Sequence, residues 1–315
     1  MIYTIRKILV RLLPLLALTS RLIFSAIKKG DSITVAYLLN KGVDPNIRTS
    51  QGNTALMIAS LVGFTNIVVA LLEYGTDLNL KADNGENALM LASQAGHTEI
   101  VHVLLENGAD PNLKANNGKT ALIMGSKAGC AEIVQVLLDK GADPNAKTDD
   151  DMTALIWGAK SGNVEVVELL LDHNADPNAK SIDGTTALMI ASKPPGKYGM
   201  VKRLLMKGAD PNVKCDQIYE DTILIRTVFD ADIFDMTNII KALLEYGADV
   251  NAKATSDVTA LMYASAFCSP EIVRILLDHG ADVNAITKDG KTALQGAVEH
   301  ERTKTVQILK KALEK

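Results

Sequence analysis

Between Gly118 and Asn145 the apolar positions follow two short helical registers rather than one long one. Ile133, Val134, Leu137 and Leu138 fall at i, i+1, i+4 and i+5 among polar neighbours, which is the stripe of a helix with one buried face. Upstream, Ala121-Leu122-Ile123-Met124 follows Thr120, whose hydroxyl can accept a bond from an orphan helix N–H. Gly129 is expected to end this first helix, and Gly141 the second. Asp143-Pro144-Asn145 then predicts a sharp turn into a hairpin. Neither helix exceeds about 12 residues, so neither is stable alone and the unit needs neighbours.

The same pattern recurs along the chain. The capping position returns as Thr54, Asn87, Thr120, Thr153, Thr186, Thr222, Thr259 and Thr292. The turn Asn returns as Asn46, Asn79, Asn112, Asn145, Asn178, Asn212, Asn251 and Asn284, with a dominant spacing of 33. The Asp two residues earlier recurs with it, and so reads as a turn former whose carboxylate bonds nearby backbone N–H groups. A 33-residue period with T-x-L-x-x-A, a glycine break, I-V-x-x-L-L and G-A-D-x-N resembles the ankyrin repeat. The resemblance covers about Leu22 to the C-terminus. It implies an all-α ankyrin-repeat solenoid of helix-turn-helix units with hairpin fingers, and protein partners on its concave face. One departure is systematic: the family's usual Pro-Leu-His after the Thr is Ala-Leu-Met or a relative here. Buried Met57, Met90, Met189 and Met262 are expected to replace the missing polar tie by apolar packing.

The ends differ from the middle. Residues 1–20 lie outside the repeat, with Arg6, Lys7 and Arg11 ahead of the apolar run Leu12 to Leu18 and no acid. This segment resembles a signal peptide and predicts export to the periplasm or secretion. Two other readings stay open: an uncleaved membrane anchor, the only membrane contact foreseen, and an amphipathic helix on a cytoplasmic protein. Residues 21–315 form the array. Its terminal pairs, 21–46 and 292–315, have polar turns (Lys28, Lys29, Asp31; Glu299, His300, Glu301) that suit caps facing water.

Regularity fails between residues 186 and 251. Extra residues enter at Lys193-Pro194-Pro195-Gly196, where two prolines should shorten a helix. More enter in the hairpin before Thr222 and in Val228-Phe229-Asp230-Ala231-Asp232-Ile233-Phe234-Asp235. Seven of the chain's thirteen aromatics lie between Tyr198 and Phe267. By register, Ile218, Tyr219 and Asp221 fall at a hairpin tip, and Arg226, Phe229 and Asp230 on a first helix. Aromatic anchors beside surplus acids suit a basic or amphipathic partner segment. The bland alternative is a degenerate repeat whose aromatics cover its own core. Asp149, Asp150, Met152 and Lys160 extend the candidate surface to an earlier repeat. Trp157, the only tryptophan, aligns with Ile58, Leu91, Met124 and Ile190 and is expected to be core.

Composition narrows the function further. A net charge of −4 and the absence of a basic stripe argue against nucleic acid. Cys130, Cys215 and Cys268 sit in different repeats, which rules out a disulfide framework. No phosphate loop, H-E-x-x-H, paired C-x-x-C or G-x-S-x-G is present. The chain therefore reads as a monomeric, non-enzymatic, cofactor-free and metal-free protein-interaction scaffold. The alternative is a membrane-tethered anchoring protein.

Overall fold

A computed structural model describes residues 18–215 and 221–314. Helical backbone over residues 18–28 (α1) pairs with α2 (Ser32–Asn40). Three pairs follow: α3 (Ala55–Val62) with α4 (Thr65–Glu73), α5 (Ala88–Ala95) with α6 (Thr98–Glu106), and α7 (Ala121–Ala128) with α8 (Ala131–Asp139). Then come α9 (Ala154–Ser161) with α10 (Val164–Asp172), α11 (Ala187–Ser192) with α12 (Tyr198–Met206), and α13 (Ile223–Asp230) with α14 (Thr237–Glu245). The last are α15 (Ala260–Phe267) with α16 (Pro270–Asp278), and α17 (Ala293–Glu299) with α18 (Thr303–Leu313). The fold is all-α. Among the described residues the only β pairing is isolated antiparallel bridges in the fingers, such as Lys147 with Thr153. Periodicity alone implies a single array, but the packing divides the chain into two compact units, one up to Asn174 and one from Ala175 onwards.

Each first helix starts as expected. All eight capping residues accept a bond from the backbone N–H three positions on, as from Met57 to Thr54, Met90 to Asn87 and Ile123 to Thr120. The second-helix stripe is core: Ile133, Val134, Leu137 and Leu138 are buried, as are their counterparts Ile100, Val101, Leu104 and Leu105. Met57, Met90, Met189 and Met262 are buried too. The two prolines have the expected effect, since α11 has six residues where its regular counterparts have eight. At the N-terminal pair Lys28, Lys29 and Asp31 face water, but so do Ile33 (82 % exposed) and Tyr37. That apolar surface departs from the expected polar end.

The polar ties between repeats have moved to the fingers. Each turn Asp accepts from the Asn N–H two residues on, at 2.8 Å for Asn46 and 2.9 Å for Asn145. The Asn side chain then reaches into the next repeat. In the first unit Asn46, Asn79 and Asn112 accept from the N–H groups of Asp77, Asp110 and Asp143 at 2.8–3.0 Å. In the second unit Asn178, Asn212 and Asn251 do the same for Asp210, Asp249 and Asp282 at 2.7–2.8 Å. The Asn112 amide also donates to the Gly141 carbonyl at 2.9 Å. One side chain thus brackets the entry to the next turn with a donor and an acceptor.

A second tie runs along the turns between paired helices. His97 Nε2 meets the Leu61 carbonyl at 3.2 Å, and the Asn163 amide donates to the Gly129 carbonyl at 2.9 Å. Neighbouring fingers are close as well. A Cβ on Gly118 would lie 2.8 Å from Thr148 Cα, and Gly118 has φ +76°. Both facts require glycine there.

We expect Asn112→Ala to lower stability by about 1–2 kcal/mol, because an amide bonding at both ends is lost while the helices stay intact. Urea unfolding followed by circular dichroism would read this as a lower midpoint at unchanged native helicity. A midpoint equal to that of the parent would show that the amide is not a tie.

Candidate functional site

The irregular region lies in the second unit. There α13, α15 and α17 pack side by side, and the residues that their register places on one face meet in a row. The Phe229 and Tyr263 rings lie 4.8 Å apart between centroids, Tyr263 and Phe267 4.8 Å, and Phe267 and His300 4.6 Å. Rings at this separation and tilt attract one another beyond simple burial. The row is open to solvent: Phe229 is 45 % exposed, Tyr263 and Phe267 are half-buried, and His300 is exposed. Arg226 stands over the Phe229 ring at 5.2 Å and pairs with Asp230 at 3.8 Å.

Its surroundings are acidic. Burial raises the Tyr263 phenol above its ordinary range, and the carboxylates of Asp232 and Asp230 raise it further. Asp232 acts in the same way on Cys268. Beyond Asp230 the inserted loop exposes Ile233 (77 %) and Phe234 (42 %) beside Asp232 and Asp235, while Met236 anchors it in the core. The helix ends that carry the row lack the closing glycines of the first unit. Instead Cys268 Sγ donates to the Val228 carbonyl, and Arg302 donates to the carbonyls of Ala266 (2.9 Å) and Phe267.

Asp221 does not join the aromatic row. It lines an adjoining cleft of about 470 Å³ with Met189, Lys193, Cys215, Arg226 and Asp230. Ile218 and Tyr219 lie outside the described residues. The remaining candidates are in the first unit. Asp149 and Asp150 are exposed at a fingertip, where Asp150 accepts from Thr148 Oγ1 and Asp151 takes the left-handed conformation (φ 55°) that glycine usually fills. Asp151 also pairs with Lys147 at 3.6 Å. Met152, expected on the surface, is only 5 % exposed. The Thr148 hydroxyl accepts from its N–H and the Thr148 backbone N–H donates to its carbonyl, which draws it under the finger.

Trp157 is likewise not the core residue expected. Met124, at the same register, is buried, whereas Trp157 is half-buried with the ammonium groups of Lys127 and Lys160 over its ring at 4.7 and 5.0 Å. Tyr263, Phe267, His300 and Lys127 were missed by sequence reasoning. A signal for two of them existed: Trp157, Arg226 and Tyr263 share the position four after the cap, and Lys127, Lys160 and Phe229 the position seven after it.

The profile of ankyrin repeats (three copies) matches residues 22–115, 79–148, 143–215 and 229–315. The chain belongs to the ankyrin-repeat family. A comparison with curated proteins found no match. Ankyrin repeats generally mediate protein–protein interaction, and the family is typically non-enzymatic. Among the described residues of this ankyrin chain no group of three or more His, Cys, Asp or Glu could hold a metal ion, and no helix is long and apolar enough to cross a membrane.

The cysteines offer a check on the site's packing. Burial pushes the Cys268 thiol up to about 12, whereas Cys215 is exposed. The thiolate is the nucleophile, so a buried thiol held that high is nearly inert at about pH 8. Iodoacetamide at about pH 8 should therefore modify Cys215 well before Cys268. Cys268 should stay protected until the chain unfolds. Peptide mapping by mass spectrometry reads both, and labelling of Cys268 as fast as Cys215 in the folded chain would contradict the packing of Cys268 under Val228.

Proposed function

We propose that this ankyrin chain is a non-enzymatic, monomeric scaffold whose protein partner seats on the concave side of the second unit, against the row Phe229, Tyr263 and Phe267. The observation that carries this reading is a stack of aromatic rings left open to solvent. Stacked, half-buried aromatics lose little conformational freedom on binding, and such residues dominate interface energetics. Asp232 beside them, with Asp235 further along the inserted loop, favours a basic or amphipathic segment and would steer its approach.

An 18-residue amphipathic peptide of Leu and Lys, followed by fluorescence anisotropy, tests the chemistry. We expect Phe229→Ala to weaken its binding about tenfold, as for a hot spot. Asp232→Lys should slow its association, more strongly at low salt. Helicity should be unchanged in both variants. Equal binding by parent and variants would refute the site, and loss of helicity in Phe229→Ala would make that ring a structural one.

The same proposal places the chain outside the cytoplasm, exported by residues 1–20. It rests on Arg6, Lys7 and Arg11 preceding the apolar run from Leu12 to Leu18. N-terminal sequencing of protein from its native cell should find a start near residue 20 in a soluble exported fraction. A start at Met1 in a membrane fraction would make the chain a tethered anchor instead, and Met1 in the cytosol would remove the export reading.

A further inference from the structure

Among the described residues no helix pair precedes α1 and α2, so the face that later pairs use for stacking is open there. A terminal face of this kind is ordinarily polar. Here it is apolar at three positions. Leu22 is exposed where Ala55, Ala88, Ala121 and Ala154 are buried at the same register. Tyr37 is exposed where Val136 and Leu169 are half-buried and Ala242 and Ile275 buried. Ile33 is exposed where later pairs carry Glu99, Glu132, Glu165 and Glu271. That last position faces the preceding pair, since Glu99 accepts from Thr65 Oγ1 at 2.9 Å and Glu271 meets Lys241 at 3.5 Å. Bases surround the patch. Lys41 stands over the Tyr37 ring at 5.6 Å, and Lys29 is exposed just after α1. Arg21 and Lys28 line an adjoining cleft of about 750 Å³ with Phe24 and Arg48. The acid of this pair, Asp31, already accepts from the Thr34 N–H at 3.0 Å and the Thr34 hydroxyl at 2.6 Å. Charge is also divided along the chain: residues 1–43 hold seven bases and one acid, and residues 44–315 hold 26 bases and 36 acids.

We propose that the N-terminal end of the array docks on an anionic lipid surface, with Leu22, Ile33 and Tyr37 entering the headgroup layer and Lys28, Lys29 and Lys41 meeting lipid phosphates. Apolar side chains ringed by bases are what such a surface binds, because burial of the one and attraction of the other add. Tyrosine suits the boundary, where its ring is covered and its hydroxyl stays wet. Charge argues against a second copy as the occupant. Another N-terminal end is equally basic, and the last helix of the array carries Lys304, Lys310 and Lys311. The acidic remainder of the chain is repelled by the same lipids, which holds it off the surface and leaves the aromatic row free for its partner. The three apolar residues all follow residue 20, so the docking holds with or without the leader. It goes beyond the reading of the chain as a protein-binding scaffold and uses none of the residues of the aromatic row.

The full chain is sedimented with sucrose-loaded vesicles, one set of phosphatidylcholine alone and one with about 30 % phosphatidylglycerol. We expect binding to the anionic vesicles at least about tenfold tighter than to the neutral ones. Raising NaCl from about 50 to about 500 mM should weaken it, since exposed charges are screened. The Ile33→Glu/Tyr37→Ser variant should bind at least about tenfold more weakly with helicity intact, because glutamate is what later pairs carry at the first of these positions. Lys28→Gln/Lys29→Gln/Lys41→Gln should weaken binding as well. Absence of binding, or equal binding to the two vesicle sets, overturns the proposal. Parent-like binding by Ile33→Glu/Tyr37→Ser also overturns it, since residues 1–20 would then carry the attachment. Light scattering without lipid tests the second copy: a dimer of the parent that Ile33→Glu/Tyr37→Ser dissociates overturns the lipid reading. If that variant loses helicity, the lysine variant decides, with weaker binding supporting the docking and unchanged binding overturning it. Phe229→Ala should leave vesicle binding as it is, so failure here and failure at the aromatic row can be told apart.

Discussion

One side-chain amide per repeat holds the stack in register. Helices of six to eleven residues cannot persist alone, and their apolar stripes are interchangeable enough to slide. An Asn that accepts from one backbone N–H of the next repeat and donates to a carbonyl two residues earlier cannot slide. Asn251 does this with Asp282 and Gly280, and Asn212 with Asp249 and Gly247. Each such bond contributes only about 0.5–1 kcal/mol. Their value is geometric, because they fix where each turn begins and therefore where each following cap and helix must lie. This is the role that a His near the cap would have filled. The Ala-Leu-Met replacement leaves the methionines to fill space and the fingers to fix position.

Fixed register turns a helix position into a place on a surface. Four residues after the cap, Leu91 and Met124 are buried, while Ile58, Trp157, Ile190 and Tyr263 at the same position are half-buried and Arg226 is exposed, so this position lies at the edge of the core. Seven after the cap, Lys127 and Lys160 meet the indole, and Phe229 meets Tyr263. The backbone support is the same each time, so what differs between repeats is surface chemistry. The first unit sets lysines against an aromatic ring, and the second sets aromatic rings among acids. Helix ends follow the same division. Glycines close α3, α5, α7 and α9, whereas Arg302 and Cys268 supply donors where glycine is missing.

What could be read from the sequence was what acts over short distances along it. The caps join residues three apart, the turn Asp binds two residues on, and the second-helix stripe lies within six. Each follows from residue type and spacing alone. The Asn bridges span 29–37 residues, and the carbonyl ties of His97 and Arg302 span 35–36. Their residues look like ordinary turn formers until the neighbouring repeat is present. Met152 was misplaced because its burial comes from Thr148, which bonds its backbone on both sides. Trp157 was misplaced because its aligned position is itself half-open, as Ile58 and Ile190 show, and an apolar side chain in the sequence does not reveal that. At Phe229 and Asp230 the register was enough, since a first helix of regular length still runs from Thr222.

Residues 186–251 are either a decayed repeat or an added surface. Decay should loosen the stack where residues were gained, since longer loops weaken the constraint between their ends. The opposite holds at the longest spacing in the ladder. Asn212 and Asp249 are 37 residues apart, yet their bridge, at 2.7 Å, is as short as those across the regular repeats. Lengthening a closed loop costs only a small, logarithmic amount of entropy, so extra residues are tolerated if their anchors hold. Here they hold: Thr222 still caps α13, Val228 and Met236 are buried on either side of the insertion, and Ile239 and Ile240 keep the second-helix stripe. Between those anchors Phe229, Ile233 and Phe234 point to water. A core that merely lost its fit would draw such side chains inward, because each exposed one forgoes about 25 cal/mol for every Å² it could bury. Apolar side chains held outward by an intact frame are compatible with the partner surface proposed above, and a loosened frame would not be.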